Sequence, residues 1–149
     1  MIDAKVSVES TLPIKLPSNA PNFKAMAAGA VDVFKKQKLD YTPESLSRLD
    51  TQIDKSWAKT RFKGIKFGDK TGSFDASALN GLVTEIGSYF GEVIIKNLGG
   101  GWTPSQRLGG WVVGCGPLVI NVFHIVDDCF RESSKLFATY KIAKAKKKQ

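Results

Sequence analysis

A chain of 149 residues is the size of one domain, and with 42% hydrophobic and 24% charged residues it can bury a core of its own. The formal charge of +8 points to nucleic acid only until it is located. Residues 141–149 hold five lysines and no acid, which leaves 17 basic and 14 acidic residues, or +3, for residues 1–140. No apolar run approaches the ~20 residues of a membrane span, and residues 1–10 lack the basic-then-apolar order of a secretory leader. Two cysteines are too few for a disulfide framework. The expectation is a soluble cytoplasmic protein with reduced thiols: one domain over residues 1–140 and a basic, disordered tail over residues 141–149.

Residues 1–20 alternate briefly at Val6 and Val8 before Pro13, Pro17 and Pro21, which suits one short strand or an extended arm and no helix. Asn22 can cap a helix to about Lys38, because Phe23, Met26, Ala27, Ala30, Val31 and Phe34 recur at steps of three and four. Thr42, Pro43 and Glu44 form a helix start, and Leu46, Leu49, Ile53 and Trp57 then make one apolar stripe. Residues 58–74 mix lysines and phenylalanines with Gly64, Gly68 and Gly72 and read as a loop. Asp75 or Ser77 can cap a third helix to about Asn97, in which Gly81, Gly87 and Gly91 each cost about 1 kcal/mol relative to alanine. Glycines kept at that cost point to close approach by another element, and Gly99 ends the helix.

Short β-rich stretches follow at Trp102, Trp111–Val113 and Leu118–Val122, too close together for a crossover helix and so antiparallel. A last helix from near Asn121 to about Lys144 buries Val122, Ile125, Val126, Cys129, Phe130, Phe137 and Tyr140. The fold class is therefore α+β: three N-terminal helices, a small antiparallel sheet of three to four short strands, and a C-terminal helix.

Residues 82–95, with Gly87-Ser88-Tyr89-Phe90-Gly91-Glu92-Val93-Ile94, and the following Gly100-Gly101-Trp102 resemble small bacterial α+β domains of unknown function. In that family a helix with a Gly-x-Tyr-x-Gly-Glu-Val-Ile core leads through glycines into a Trp-bearing strand. Leu39-Asp40-Tyr41-Thr42-Pro43-Glu44-Ser45-Leu46 is similar to the family's preceding helix, and Ile120–His124 to its strand-to-helix junction, although proline is more typical where Val122 stands. The resemblance spans about residues 39–140. It implies helices around a small antiparallel sheet and no particular activity.

Candidate chemistry is sparse. His124, the only histidine, precedes Asp127 and Asp128 by three and four residues, so an imidazole and a carboxylate share a helix face, and Glu92 is the acid expected to join them if a cleft forms there. Such a set is short of the four ligands of a structural zinc site, and acids in a first helical turn are explained by the helix dipole alone. Cys115, between two glycines, is a candidate exposed nucleophile or a structural thiol in a turn; Cys129 falls on an apolar helix face. Glu85 and Glu92, two turns apart, can line a cleft or one exposed helix side. Gly99–Gly101 lacks the Lys-Ser/Thr of a phosphate loop and leaves a helix rather than opening one, and no cofactor is expected. In the loop 59–70, Lys59, Arg61, Lys63 and Lys66 alternate with aromatic residues, a pattern that can hold phosphates and stack bases. The leading expectation is a non-enzymatic binding domain with a protein partner, immunity-like by analogy with bacterial proteins of this size. The alternatives are a nucleic-acid binder using the basic loop and lysine tail, and a small hydrolase or metal-dependent enzyme.

Overall fold

The computed structural model describes residues 6–8, 21–55, 62, 64–65, 67, 73–105 and 110–147. Asn22 starts helix α1 (Phe23–Val33) by accepting the Ala25 N–H at 3.1 Å. The helix ends earlier than Lys38: Phe34 leaves helical backbone, a 3₁₀ turn follows at Lys35–Gln37, and Lys38 is left-handed with φ 51°. Helix α2 (Pro43–Lys55) begins with Thr42, whose Oγ1 accepts the Ser45 N–H at 3.3 Å. Its buried side is Leu46, Leu49 and Ile53, while Trp57 lies outside the described residues. Helix α3 (Phe74–Leu98) is capped by Ser73, two residues before Asp75 and four before Ser77, the sequence candidates.

Helix α3 is the spine. Its buried residues run from Ala76 to Leu98 around most of its circumference from Ile86 to Gly91, which explains its weak amphipathicity. Its packing against α1 is the most extensive between any two described elements. Gly99 ends it with φ 86°, and Gly100 then brings the backbone so close to the Gly114 carbonyl that a Cβ would collide with it.

The sheet has the order β1-β4-β3-β2, all antiparallel, from β1 (Val6–Val8), β2 (Gly101–Ser105), β3 (Gly110–Cys115) and β4 (Leu118–Ile120). The register aligns Trp102, Val113 and Ile120 in one row, and Cys115 with Leu118 two residues further along β3. Directly opposed residues share a face. That face enters the core beside α3. The third sequence stretch stops at Ile120 rather than Val122, because Asn121 releases the chain into helix α4 (Val122–Cys129).

The expected single C-terminal helix is two, α4 and α5 (Leu136–Lys147). The apolar spacing of Cys129, Phe130, Phe137 and Tyr140 continues across the break, so periodicity alone hides it. The break is made by two acids of α2. Asp54 accepts the Ser134 N–H at 2.8 Å, and Asp50 accepts the N–H groups of Leu136 at 2.8 Å and Phe137 at 3.0 Å, with the Ser134 hydroxyl at 2.5 Å. These bonds draw the amides out of a continuous ladder and cap α5 from a neighbouring helix. Residues 141–147, assigned in the sequence to a disordered tail, belong instead to helix α5. Helix α5 continues through Lys147, Ala143 is buried, and the Lys147 ammonium donates to the Leu98 carbonyl at the end of α3. A cation there meets the negative end of the helix dipole.

Candidate functional site

Glu92, His124 and Asp127 do not form one cluster: two of them anchor separate parts of the scaffold and the third faces outward. Glu92 is held between the Trp102 indole N–H, which donates to Oε2 at 2.8 Å, and the Lys24 ammonium at 3.2 Å from Oε1. Asp127 is buried on α4, where it accepts the Phe67 N–H at 3.0 Å and pairs with the Arg131 guanidinium one turn away. Arg131 also donates to the Ile65 carbonyl at 2.5 Å, so this ion pair fastens Ile65 and Phe67 to α4. His124 is exposed. Among the described residues no three His, Cys, Asp or Glu side chains are grouped to hold a metal ion.

The other candidates are also accounted for by packing where they are described. Cys115 is the last residue of β3, fully buried rather than exposed in a turn, and its Sγ faces the Leu98 carbonyl at 3.7 Å. Burial pushes its thiol pKa up, partly offset by the Lys147 charge, so it is a poor nucleophile at neutral pH. Cys129 is buried with its Sγ 3.3 Å from the Ile125 carbonyl. Glu85 is half-buried against Gly29, and burial, then the charge of Asp32, raises its pKa. Lys59, Arg61, Lys63 and Lys66 lie outside the described residues.

The glycines of α3 lead to the site that sequence reasoning missed. A Cβ on Gly87 would overlap the Phe123 ring, and one on Gly91 would overlap the Trp102 ring; Gly81 has nothing within 4 Å. Two of the three expected close approaches are therefore real, and what approaches is aromatic side chain from α4 and β2 rather than backbone. The rings so admitted form one cluster. Phe23 stacks on Trp102 with centroids 3.9 Å apart, meets Trp111 edge-on at 5.5 Å, and neighbours Phe123 at 6.3 Å. Phe123 in turn stacks on Trp102 at 5.7 Å and on Phe67 at 6.0 Å. Offset stacking and edge contacts of this kind add about 0.5–1.5 kcal/mol per pair beyond burial.

This cluster does not close over itself. Between α1, α3, α4 and the start of β3 it leaves a cavity of about 330 Å³, floored by Phe23 and Phe123 and walled by Met26, Phe67 and Trp111. Thr84, Asn121 and the exposed His124 supply its polar groups. A concave apolar surface with a few polar groups is the usual form of a binding site. Phe23, Met26 and Trp111 are read in sequence as ordinary helix or strand, and His124 is singled out there only with Glu92 and Asp127, so nothing local groups it with these rings.

A second unusual feature stands beside Glu92. Tyr41 adopts a left-handed backbone with φ 64°, which is rare for a bulky residue. It is held there by its own N–H donating to the Tyr89 hydroxyl at 2.9 Å and by Asn97 donating to its carbonyl at 3.0 Å. The Tyr89 hydroxyl is also 2.6 Å from Ser45 Oγ, so a buried polar chain holds the junction between Leu39 and α2 against α3. That strain is thereby explained as architecture. No protein-family model, curated protein or solved structure matches the chain, so its function rests on the chemistry of its own residues.

Proposed function

We propose that this chain is a non-catalytic binding module whose aromatic cleft takes an apolar side chain of a protein partner, in an immunity-like role that blocks that partner. The observation that carries the reading is the unfilled cavity among Phe23, Met26, Trp111 and Phe123. It is supported by the employment of the nearby ionisable groups: Glu92 and Asp127 hold the scaffold together, and both thiols are buried. A cavity of about 330 Å³ has room for one large side chain. Burying a Leu, Met or Phe there contributes roughly 1.5–3 kcal/mol, and Met and aromatic residues are the residues that recur at interface centres.

The test is capture of the partner from the source cell with the tagged wild-type chain, followed by titration calorimetry of the purified pair. Met26→Glu, at the wall, places a charge against the incoming apolar group and weakens binding by roughly thirtyfold, the scale of one interface hot spot. His124→Glu, at the exposed rim, changes the affinity less and serves as a variant whose fold is not in question. Unchanged affinity in both variants, with folding verified by circular dichroism, sinks the proposal.

A further inference from the structure

We propose that a second hollow, at the C-terminal ends of α1 and α2, receives an acidic, apolar-bearing segment of that same protein partner. This rests on the protein-binding reading above and adds the chemistry of what is recognised. The hollow measures about 690 Å³, and its floor contains Ile53 and Phe130 from the core together with Leu82 of α3. Val33 stands at its side with 56% of its surface exposed, one of two large apolar residues so exposed among the described ones.

Charge complementarity identifies the occupant. Lys35, Lys36 and Lys55 ring the hollow and all three are exposed, against the single carboxylate of Asp32. Asp32 is 3.5 Å from Lys35, which leaves Lys36 and Lys55 with no ion pair among the described residues. An apolar floor inside a cationic rim matches a segment that presents both apolar side chains and carboxylates, whereas a basic segment is repelled. The hollow also lies within reach of the aromatic cleft. Val33 is seven residues beyond Met26 on α1, so the two sit on nearly the same side of the helix about 10 Å apart. One extended segment of three or four residues covers that distance, at about 3.3 Å per residue.

The test uses fluorescence anisotropy with a fluorescein-labelled peptide of glutamates and leucines, its lysine-for-glutamate counterpart, and a single-stranded oligonucleotide. The acidic peptide binds the wild-type chain, the basic one does not, and Lys36→Glu with Lys55→Glu weakens the binding roughly tenfold, as expected for reversing two exposed charges. Lys96→Glu, exposed on α3 about 20 Å along the helix from Leu82, leaves the peptide's binding intact, which separates recognition at this hollow from attraction to the chain's overall positive charge. If Met26→Glu abolishes partner binding while the acidic peptide ignores Lys36 and Lys55, the cleft stands and this inference falls. Absence of binding, equal binding of the basic peptide, or preference for the oligonucleotide also overturns it.

Discussion

Replacing Gly91 by alanine tests the central packing claim, because intrinsic propensity and tertiary contact predict opposite signs. In an exposed helix the substitution stabilises by about 1 kcal/mol. At this position the new methyl overlaps the Trp102 ring and meets Val113 Cγ2 at 3.1 Å. Trp102 cannot retreat freely, since it is stacked on Phe23 at 3.9 Å and its indole N–H is bonded to Glu92 at 2.8 Å. Overpacking costs roughly 1–3 kcal/mol, and breaking a hydrogen bond to a carboxylate adds about 1.5–3 kcal/mol. After subtracting the propensity gain, the net loss is about 1.5–5 kcal/mol, or a fall in Tm of roughly 3–20 °C for a domain of this size. Gly81→Ala is the internal control: with nothing within 4 Å of the added Cβ, it keeps the propensity gain alone. Its Tm rises by about 2–3 °C. Urea denaturation and scanning calorimetry of the two variants read both signs. A Gly91→Ala protein as stable as wild type, or a destabilised Gly81→Ala protein, would refute the placement of the Trp102 ring over α3.

Asp50 supplies a pH signature. Burial raises its pKa above 3.8, outweighing the opposing bonds from Ser134, Phe137 and Leu136. A raised folded-state pKa means the native protein holds this proton more tightly than the unfolded chain. Its contribution is therefore full below the ordinary carboxylate pKa and is lost as pH rises through the raised value. Plotted against pH, the stability of wild type minus that of Asp50→Asn falls across the acidic range; a rising difference would mean that the amide donors outweigh burial. The cysteines give a simpler check. Cys115 and Cys129 are both buried, so neither reacts with a thiol reagent such as Ellman's in the native state, and both react in denaturant. Fast modification of either in the folded protein would contradict the core described above.

Where an element is specified by neighbours in the chain, the sequence determined it. Asn22 and Thr42 cap their helices through bonds to residues three positions on, and the periodicity of Leu46, Leu49 and Ile53 selects a buried side without reference to anything else. The antiparallel sheet followed from stretches too close together to admit a crossover helix. Tertiary structure decided what depends on partners distant in sequence. The break between α4 and α5 is imposed by Asp50 and Asp54, some 80 residues away, whose carboxylates compete for amides that local periodicity assigns to one helix. The glycines of α3 announced that something approaches, but only the packed chain shows that Phe123 and Trp102 occupy two of those places and solvent the third. The candidate site follows the same division. Glu92, His124 and Asp127 are the residue types that do chemistry, and spacing along the chain cannot tell a catalytic carboxylate from one that anchors an indole or a guanidinium. The aromatic cleft had no local signal because each of its rings reads as ordinary core. It exists only because rings from α1, α4, β2 and β3 meet over the glycine face of α3 and fall short of filling the space between them.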